Sequence, residues 1–512
     1  MQDPKDALRQ RRSPLDTPPE EFARLGHRLV DQIAAFLEAL PRRPLTPGEG
    51  PRDIRGLLGD SGLPARGASA QALLDETSRL LFDHSLFNGH PRFMGYITSS
   101  ATPIGALADL LAATVNPNVG AWALSPVASE IEAQTVRWIA ELIGYPTSCG
   151  GLLVSGGNVA NFTGFLAARK ARAPWNVRET GLRAGSGQLV VYASVETHTW
   201  LHKAADLFGL GLDAIRWIPV DDERRMKTDL LEARIREDRD GGFIPFLLVG
   251  AAGTVGVGAT DPLRELSRIA KDQNLWFHVD GAYGAPAACL PEASDDLHAL
   301  ALADSVALDP HKWLYAPLEA GCTLVRDPAH LIDAFSFHPE YYHFGPTDDQ
   351  PGVNYYEFGL QNSRGFRALK VWLALRQIGR EGYEKLIRED IGLARALLDE
   401  VRRHPGLEAY RQNLSITTFR YRPPEIPGSP DQAEEYLTAV NQEILNRIQV
   451  GGEVFVSNAV VDGRYYLRAC IVNFRTTLED VRAVPEIVMR IGRRVHEELR
   501  GRAASSPGRP AS

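Results

Sequence analysis

The hydrophobic positions of the chain change period several times, and each change marks an element. Phe22, Leu25, Leu29, Ile33, Phe36 and Leu40 recur at intervals of three and four, one apolar stripe along a helix. Thr17-Pro18-Pro19-Glu20 ahead of it reads as a capping box with proline at the first helical position. Such a face docks on its own domain or on a second subunit. Residues 45–67, rich in Pro and Gly, read as a connecting segment, and helical spacing resumes over 70–82.

From residue 95 short apolar runs alternate with helical ones. The spacing predicts strands over 188–193, 246–251, 276–280, 305–308 and 322–325. It predicts helices over 125–143, with Ser125 as cap, and over 158–172, 262–271 and 365–379. This alternation predicts an α/β fold, a mostly parallel sheet covered by helices, whose ligands sit at the carboxyl ends of the strands. Residues 338–352 carry turn-formers and no apolar period, so they read as a long loop. A smaller α+β section follows: helix 391–404, strand 415–421, helix 431–449, strands near Val454 and over 465–470, and a last helix over 478–499. The expected division is an N-terminal helical segment (1–94), a large domain (95–388), a small α+β domain (389–500) and a disordered tail (501–512).

Composition narrows the class. A chain of 512 residues, 44% hydrophobic and 23% charged, is long enough for more than one domain and ordinary for a soluble protein. A formal charge of −8 argues against nucleic-acid partners. Four scattered cysteines suit neither a disulfide framework nor a zinc ribbon, so a reducing, cytoplasmic setting is expected. The polar first residues carry no secretory signal, and the most apolar helical stretch, 104–115, is too short to span a bilayer and contains Asp109.

Chemistry gathers just past the strands. His198 follows the strand over 188–193, and Gly253-Thr254 follows 246–251. Asp280-Gly281-Ala282 closes 276–280, and Asp309-Pro310-His311-Lys312 closes 305–308. Ser155-Gly156-Gly157-Asn158 opens a helix with a turn small enough for backbone N–H groups to approach an anion. Together these meet the needs of pyridoxal 5′-phosphate. Lys312 offers an amine for the aldehyde, residues 155–158 a phosphate cradle, Asp280 a carboxylate for the ring nitrogen, and His198 a ring to stack. A zinc site from His198, His278, Asp280 and His311 has the right residue types, but no compact ligand spacing, and leaves Lys312 unused. His278 and Trp313 read as core residues, and His84, His90, His330, His404 and His496 mostly as surface.

The motifs around these residues resemble the group II pyridoxal-phosphate-dependent amino-acid decarboxylases. D-P-H-K-W-L is similar to that family's N-P-H-K-W, H-V-D-G-A-Y to its H-V-D-A-A-Y, and G-H-P-R-F-M-G-Y to its H-P-x-F segment. S-R-G-F-R-A-L-K-V-W and the first helix match too, so the likeness runs over about 15–499. The resemblance implies a fold-type-I homodimer with its site between subunits and the N-terminal helices wrapped on the partner. It also implies decarboxylation of an L-amino acid, aromatic by preference, to the amine and CO2. By motif, Lys312 forms the Schiff base, Asp280 pairs with the pyridinium nitrogen, His198 stacks and touches substrate, and Ala282 lies under the ring. Gly157, Asn158, Thr254 and Asp309 fall at cofactor-contact positions, with His311 near the phosphate or the Schiff base. Ser99 or Thr98 falls where the family holds the substrate carboxylate. Tyr341, with Tyr342 as neighbour, falls at the loop tyrosine that protonates Cα. Ile97, Gly120, Asn158 and Asp309 depart from the family pattern, the first two where aromatic-specific members place phenylalanine. The rivals are a carbon–carbon lyase or aldehyde synthase on the same fold, and a non-catalytic descendant.

Overall fold

The computed structural model describes residues 15–337 and 352–505 except Ser186 and Gly428, together with Arg9 and Ser13. The loop expected over 338–352, with Tyr341 and Tyr342, falls almost wholly outside the described residues.

Seven strands form the main sheet: β1 (Gly150–Val154), β2 (Leu189–Ser194), β3 (Ile215–Ile218), β4 (Ile244–Ala251), β5 (Trp276–Asp280), β6 (Ser305–Leu308) and β7 (Gly321–Val325). Their order is β1-β7-β6-β5-β4-β2-β3, and only β7 runs against the rest. The central strands are apolar on both faces because helices cover both. Tyr192, Leu248, Phe277 and Val279 pack with Val136 and Ile139 of helix Pro126–Leu142 and Leu266 and Ile269 of helix Leu263–Asp272. On the other face Val191, Val249 and Trp276 pack with Phe165 of helix Gly157–Arg172 and with Trp200. Every strand expected in this half is present. β1 and β3 had no sequence reading: β1 is a five-residue run headed by two glycines, and β3 is a four-residue edge strand, half-buried at its centre.

A second sheet, β8 (Leu407–Asn413), β9 (Ile416–Tyr421), β10 (Ser457–Val461) and β11 (Arg464–Cys470), is antiparallel throughout in the order β10-β11-β9-β8. Helices Pro430–Gly451 and Leu478–Ser505 follow two of its strands. The strand expected near Val454 lies three residues later, as β10. The helices expected over 365–379 and 391–404 are limbs of one run, Ala368–Arg403, broken where Gly379 takes φ 68°. Ile387 packs under the main sheet and Ala394 in the core of the second, so the second limb ties the two together. A buried ion pair fastens the other end of the main sheet. Arg364 reaches Glu132, the carbonyl of Leu153 at 2.6 Å and that of Val119 at 2.9 Å, while Glu132 accepts the Leu153 N–H at 2.8 Å.

Several local expectations change. The segment over 45–67 contains a short helix, Pro51–Leu58. Helix Pro19–Ala39 begins one residue later than the capping box requires; its cap position falls on Pro18, which has no side-chain acceptor. Ser125 occupies the cap position of helix Pro126–Leu142 with Pro126 first, as expected, but its hydroxyl donates to the Asn118 carbonyl at 2.9 Å and makes no cap bond. His90 and His496 are buried, His90 accepting the Arg92 N–H at 3.0 Å and His496 meeting Tyr436 at 2.6 Å. Along the first helix only Leu25 and Leu40 of the stripe are buried; Phe36 stacks on Phe82 at 4.5 Å, while Phe22 and Ile33 stay exposed.

Candidate active site

β1, β2, β4, β5 and β6 end on one edge of the sheet, and the turns beyond them enclose a cavity of about 710 Å³. It is lined by Gly157, Asn158, His198, Thr254, Asp280, Ala282, Asp309, His311 and Lys312, nine residues expected there, and by Thr98. The structure separates Thr98 from its neighbour: the Ser99 hydroxyl donates to the His311 carbonyl at 2.8 Å and faces a smaller adjoining cavity of about 310 Å³. His278, offered as a metal ligand, is buried with both ring nitrogens engaged, one by Ser305 Oγ and one by Asn161 Oδ1, each at 2.7 Å. Burial pushes its pKa down to about 4.

The turn after β6 places the lysine. Proline at 310 ends the strand, and the Lys312 N–H donates to the Asp309 carbonyl at 2.8 Å. Lys312 Nζ lies 2.9 Å from Asp309 Oδ2. His311 Nδ1 accepts the Ala320 N–H at 3.1 Å, and burial lowers its pKa. Farther on, Trp313 Nε1 and the Tyr315 hydroxyl both donate to Asp390 Oδ2, at 2.8 and 2.7 Å, and the Tyr383 hydroxyl donates to the Leu314 carbonyl. The segment after the lysine is therefore clamped to helix Ala368–Arg403.

On the neighbouring strand, Asp280 Oδ2 accepts Trp200 Nε1–H at 2.8 Å and Oδ1 accepts the Ala282 N–H at 3.2 Å. His198 Nδ1 accepts the Trp200 N–H at 3.2 Å, and burial lowers its pKa. A neutral ring accepting at Nδ1 carries its proton on Nε2, as a donor.

Two observations show that a phosphorylated cofactor fits. Gly156 sits at φ 142°, a conformation few other residues adopt, and turns the chain into helix Gly157–Arg172 so that its first N–H groups are free of intrahelical partners. A Cβ at Gly157 would come within 2.7 Å of Asp309 Oδ2, so a side chain there would push against the floor of that cradle. Asp309 Oδ1 is buried with no partner among the described residues; as an acceptor it calls for a donor and not for a phosphate oxygen.

Sequence reasoning missed Arg468. It lies 2% exposed in β11 and reaches the cavity from the second sheet, with Nη1 on the Tyr96 carbonyl and on Ser457 Oγ, each at 3.1 Å. Its Nε and Nη2 have no partner among the described residues. The signal was an arginine alone in the apolar run Y-Y-L-R-A-C, since a buried guanidinium needs acceptors. Ile97 lines the cavity, whereas Gly120 does not: a Cβ there would meet the Asn362 carbonyl oxygen at 2.1 Å.

A lysine, a carboxylate, an imidazole and an anion cradle at the strand ends of a parallel sheet define a pyridoxal-phosphate enzyme. The model of the pyridoxal-dependent decarboxylase conserved domain matches residues 51–422, and the chain belongs to that family, a pyridoxal-phosphate-dependent carboxy-lyase. It is 33% identical to the aromatic-L-amino-acid decarboxylase of Bacillus atrophaeus, over 90% of this chain and 93% of that one. It is 30% identical to a phenylacetaldehyde synthase of Petunia hybrida, over 88% and 90%. Among solved structures, the Oryza sativa TDC with PLP and tryptamine superposes with a TM-score of 0.86 at 26% identity, over 94% of this chain and 99% of that one.

Asp390 makes the clamp pH-sensitive. Burial pushes its pKa up to about 7, against the pull of its Tyr315 and Trp313 donors. A carboxyl raised above its unfolded value favours folding when protonated, so its contribution is full below about pH 4 and is lost as pH rises to about 7. Urea unfolding of Asp390→Asn is expected to gain on the parent across that window and to run parallel above it. A gap between the two that does not change with pH would contradict this assignment.

Proposed function

We propose that the chain decarboxylates an aromatic L-amino acid, as a cytoplasmic homodimer, with the residues named above in the family's roles. Bound pyridoxal phosphate supplies an aldehyde for the substrate amine and a ring that takes up the electrons released with CO2. Lys312 supplies the amine that holds the cofactor between turnovers. Asp280 keeps the proton on the ring nitrogen, and the N–H groups of Gly157 and Asn158 receive the phosphate, with Asp309, Thr254 and His311 beside them. Ala282 and His198 would hold the ring between them, and His198 would present Nε2–H to the substrate. The observation that carries the substrate reading is Arg468: a buried guanidinium that lines the cavity of Lys312, with Nε and Nη2 unpartnered among the described residues, suits the α-carboxylate, and Thr98 lines the same cavity. Tyr341 returns a proton to Cα. Its presence together with His198 favours amine over aldehyde as product.

An aromatic side chain fits the apolar part of the cavity at Tyr96, Ile97 and Leu318, and the names of the relatives agree with it. The dimer is supported by apolar residues left in water: Leu107, Leu110, Leu111 and Val115 on helix Pro103–Val115, with Phe22, Val30 and Ile33 on the first helix. No helix among the described residues is long and apolar enough to cross a membrane.

The deciding experiment is CO2 release by purified protein with added cofactor against the common amino acids, with products identified. Tyrosine, tryptophan, phenylalanine and dihydroxyphenylalanine are expected to lead, and Lys312→Ala to remove turnover and hydride trapping of the cofactor. Full activity in Lys312→Ala would end the mechanism, and an aldehyde product would favour the synthase. Arg468→Met is expected to raise KM roughly tenfold or more, the size of a lost charge-assisted contact, with a smaller effect on kcat. An unchanged KM removes the carboxylate anchor. Sedimentation is expected to give twice the chain mass; a single-chain mass would contradict the dimer.

A further inference from the structure

The geometry points to Trp200 as the positioning residue of this site, fixing through one side chain and its own backbone amide both the carboxylate and the imidazole that line the cavity. The inference rests on the cofactor reading above and adds a residue to it. Trp200 is fully buried at the start of helix Trp200–Leu207, two residues after His198. Its backbone N–H goes to His198 Nδ1 at 3.2 Å, and its indole N–H to Asp280 Oδ2 at 2.8 Å. One residue therefore sets the tautomer of the imidazole and the plane of the carboxylate.

Among the described residues, the other donor to Asp280 is the Ala282 N–H at 3.2 Å, on the other oxygen. His278, two residues earlier on β5, has both nitrogens committed to Ser305 and Asn161. Its ring packs edge-on against the indole at 5.7 Å, holding it in place. An indole N–H donated to one carboxylate oxygen fixes the direction in which the other oxygen points. Trp200 thus holds the Asp280 carboxylate in one orientation at the cavity wall.

Two substitutions separate this role from packing. Trp200→Phe keeps a six-membered ring but has no N–H. Trp200→His loses that bulk yet can place Nε2, two bonds from Cγ as in indole, where the indole nitrogen was. The other titratable groups around Asp280 are His198, His278, Lys312 and Asp309, and all are unchanged in both variants.

In the purified holoenzyme, Trp200→Phe is expected to weaken cofactor binding roughly tenfold, by dialysis and fluorescence titration. It is also expected to displace the absorbance titration of the bound cofactor from the parental curve, because a carboxylate no longer held by the indole meets the ring nitrogen less well. Trp200→His is expected to melt at lower temperature yet keep the parental titration. The inference is overturned if Trp200→Phe matches the parent in both readouts, or if both variants shift in step with their lost thermal stability. A parent chain that binds no pyridoxal phosphate would instead remove the cofactor reading itself.

Discussion

The pairing of β5 with β6 sets the geometry on which the rest depends. Asp280 lies opposite Ala307, so the carboxylate at the end of one strand and the Asp309–Lys312 turn at the end of the next leave the sheet at the same level. A slip of one residue in β5 would turn Asp280 to the opposite face, and a slip in β6 would do the same to its own side chains. The burial of both strands between two apolar layers makes such a slip costly, because it would carry every core side chain with it. The precision of the site is thus inherited from the core beneath it.

Around that pair, buried polar groups do two kinds of work. Glu132 with Arg364, His278 with Ser305 and Asn161, and Asp390 with Trp313 and Tyr315 satisfy one another and hold elements in register. Asp309 Oδ1 and the Nε and Nη2 of Arg468 are buried and have no partner among the described residues. Leaving buried polar groups without partners is unfavourable, which sets these atoms apart from the satisfied networks. The second sheet, through Arg468, lines the same cavity as Lys312.

Much of this was legible in the sequence. The buried strands announced themselves as short continuous apolar runs, and the chemistry followed each run directly, so Lys312, Asp280, His198 and the glycine turn could be found one by one. The strands β1 and β3 escaped because their runs are broken: β1 opens on two glycines, and β3 carries Arg216 at its half-buried centre. The first helix's capping box failed because Thr17 lies one residue too early, which pattern alone does not resolve. Gly379 was read correctly as a stop, but the chain resumes its helix at once, since packing of Ile387 and Ala394 on two cores outweighs a single glycine.

The sequence by itself determined the fold class, the cofactor chemistry and the residues that gather at the strand ends. Each of these depends on local pattern: the period of apolar residues and the residue types just after a strand. Only the tertiary structure decided that Arg468, more than 150 residues beyond Lys312 in the chain, enters the same cavity. It also decided that Thr98 faces that cavity while Ser99 turns away, and that Trp200 donates to Asp280 across 80 residues. Those are contacts between distant segments, fixed by how two sheets pack, and no local spacing encodes them.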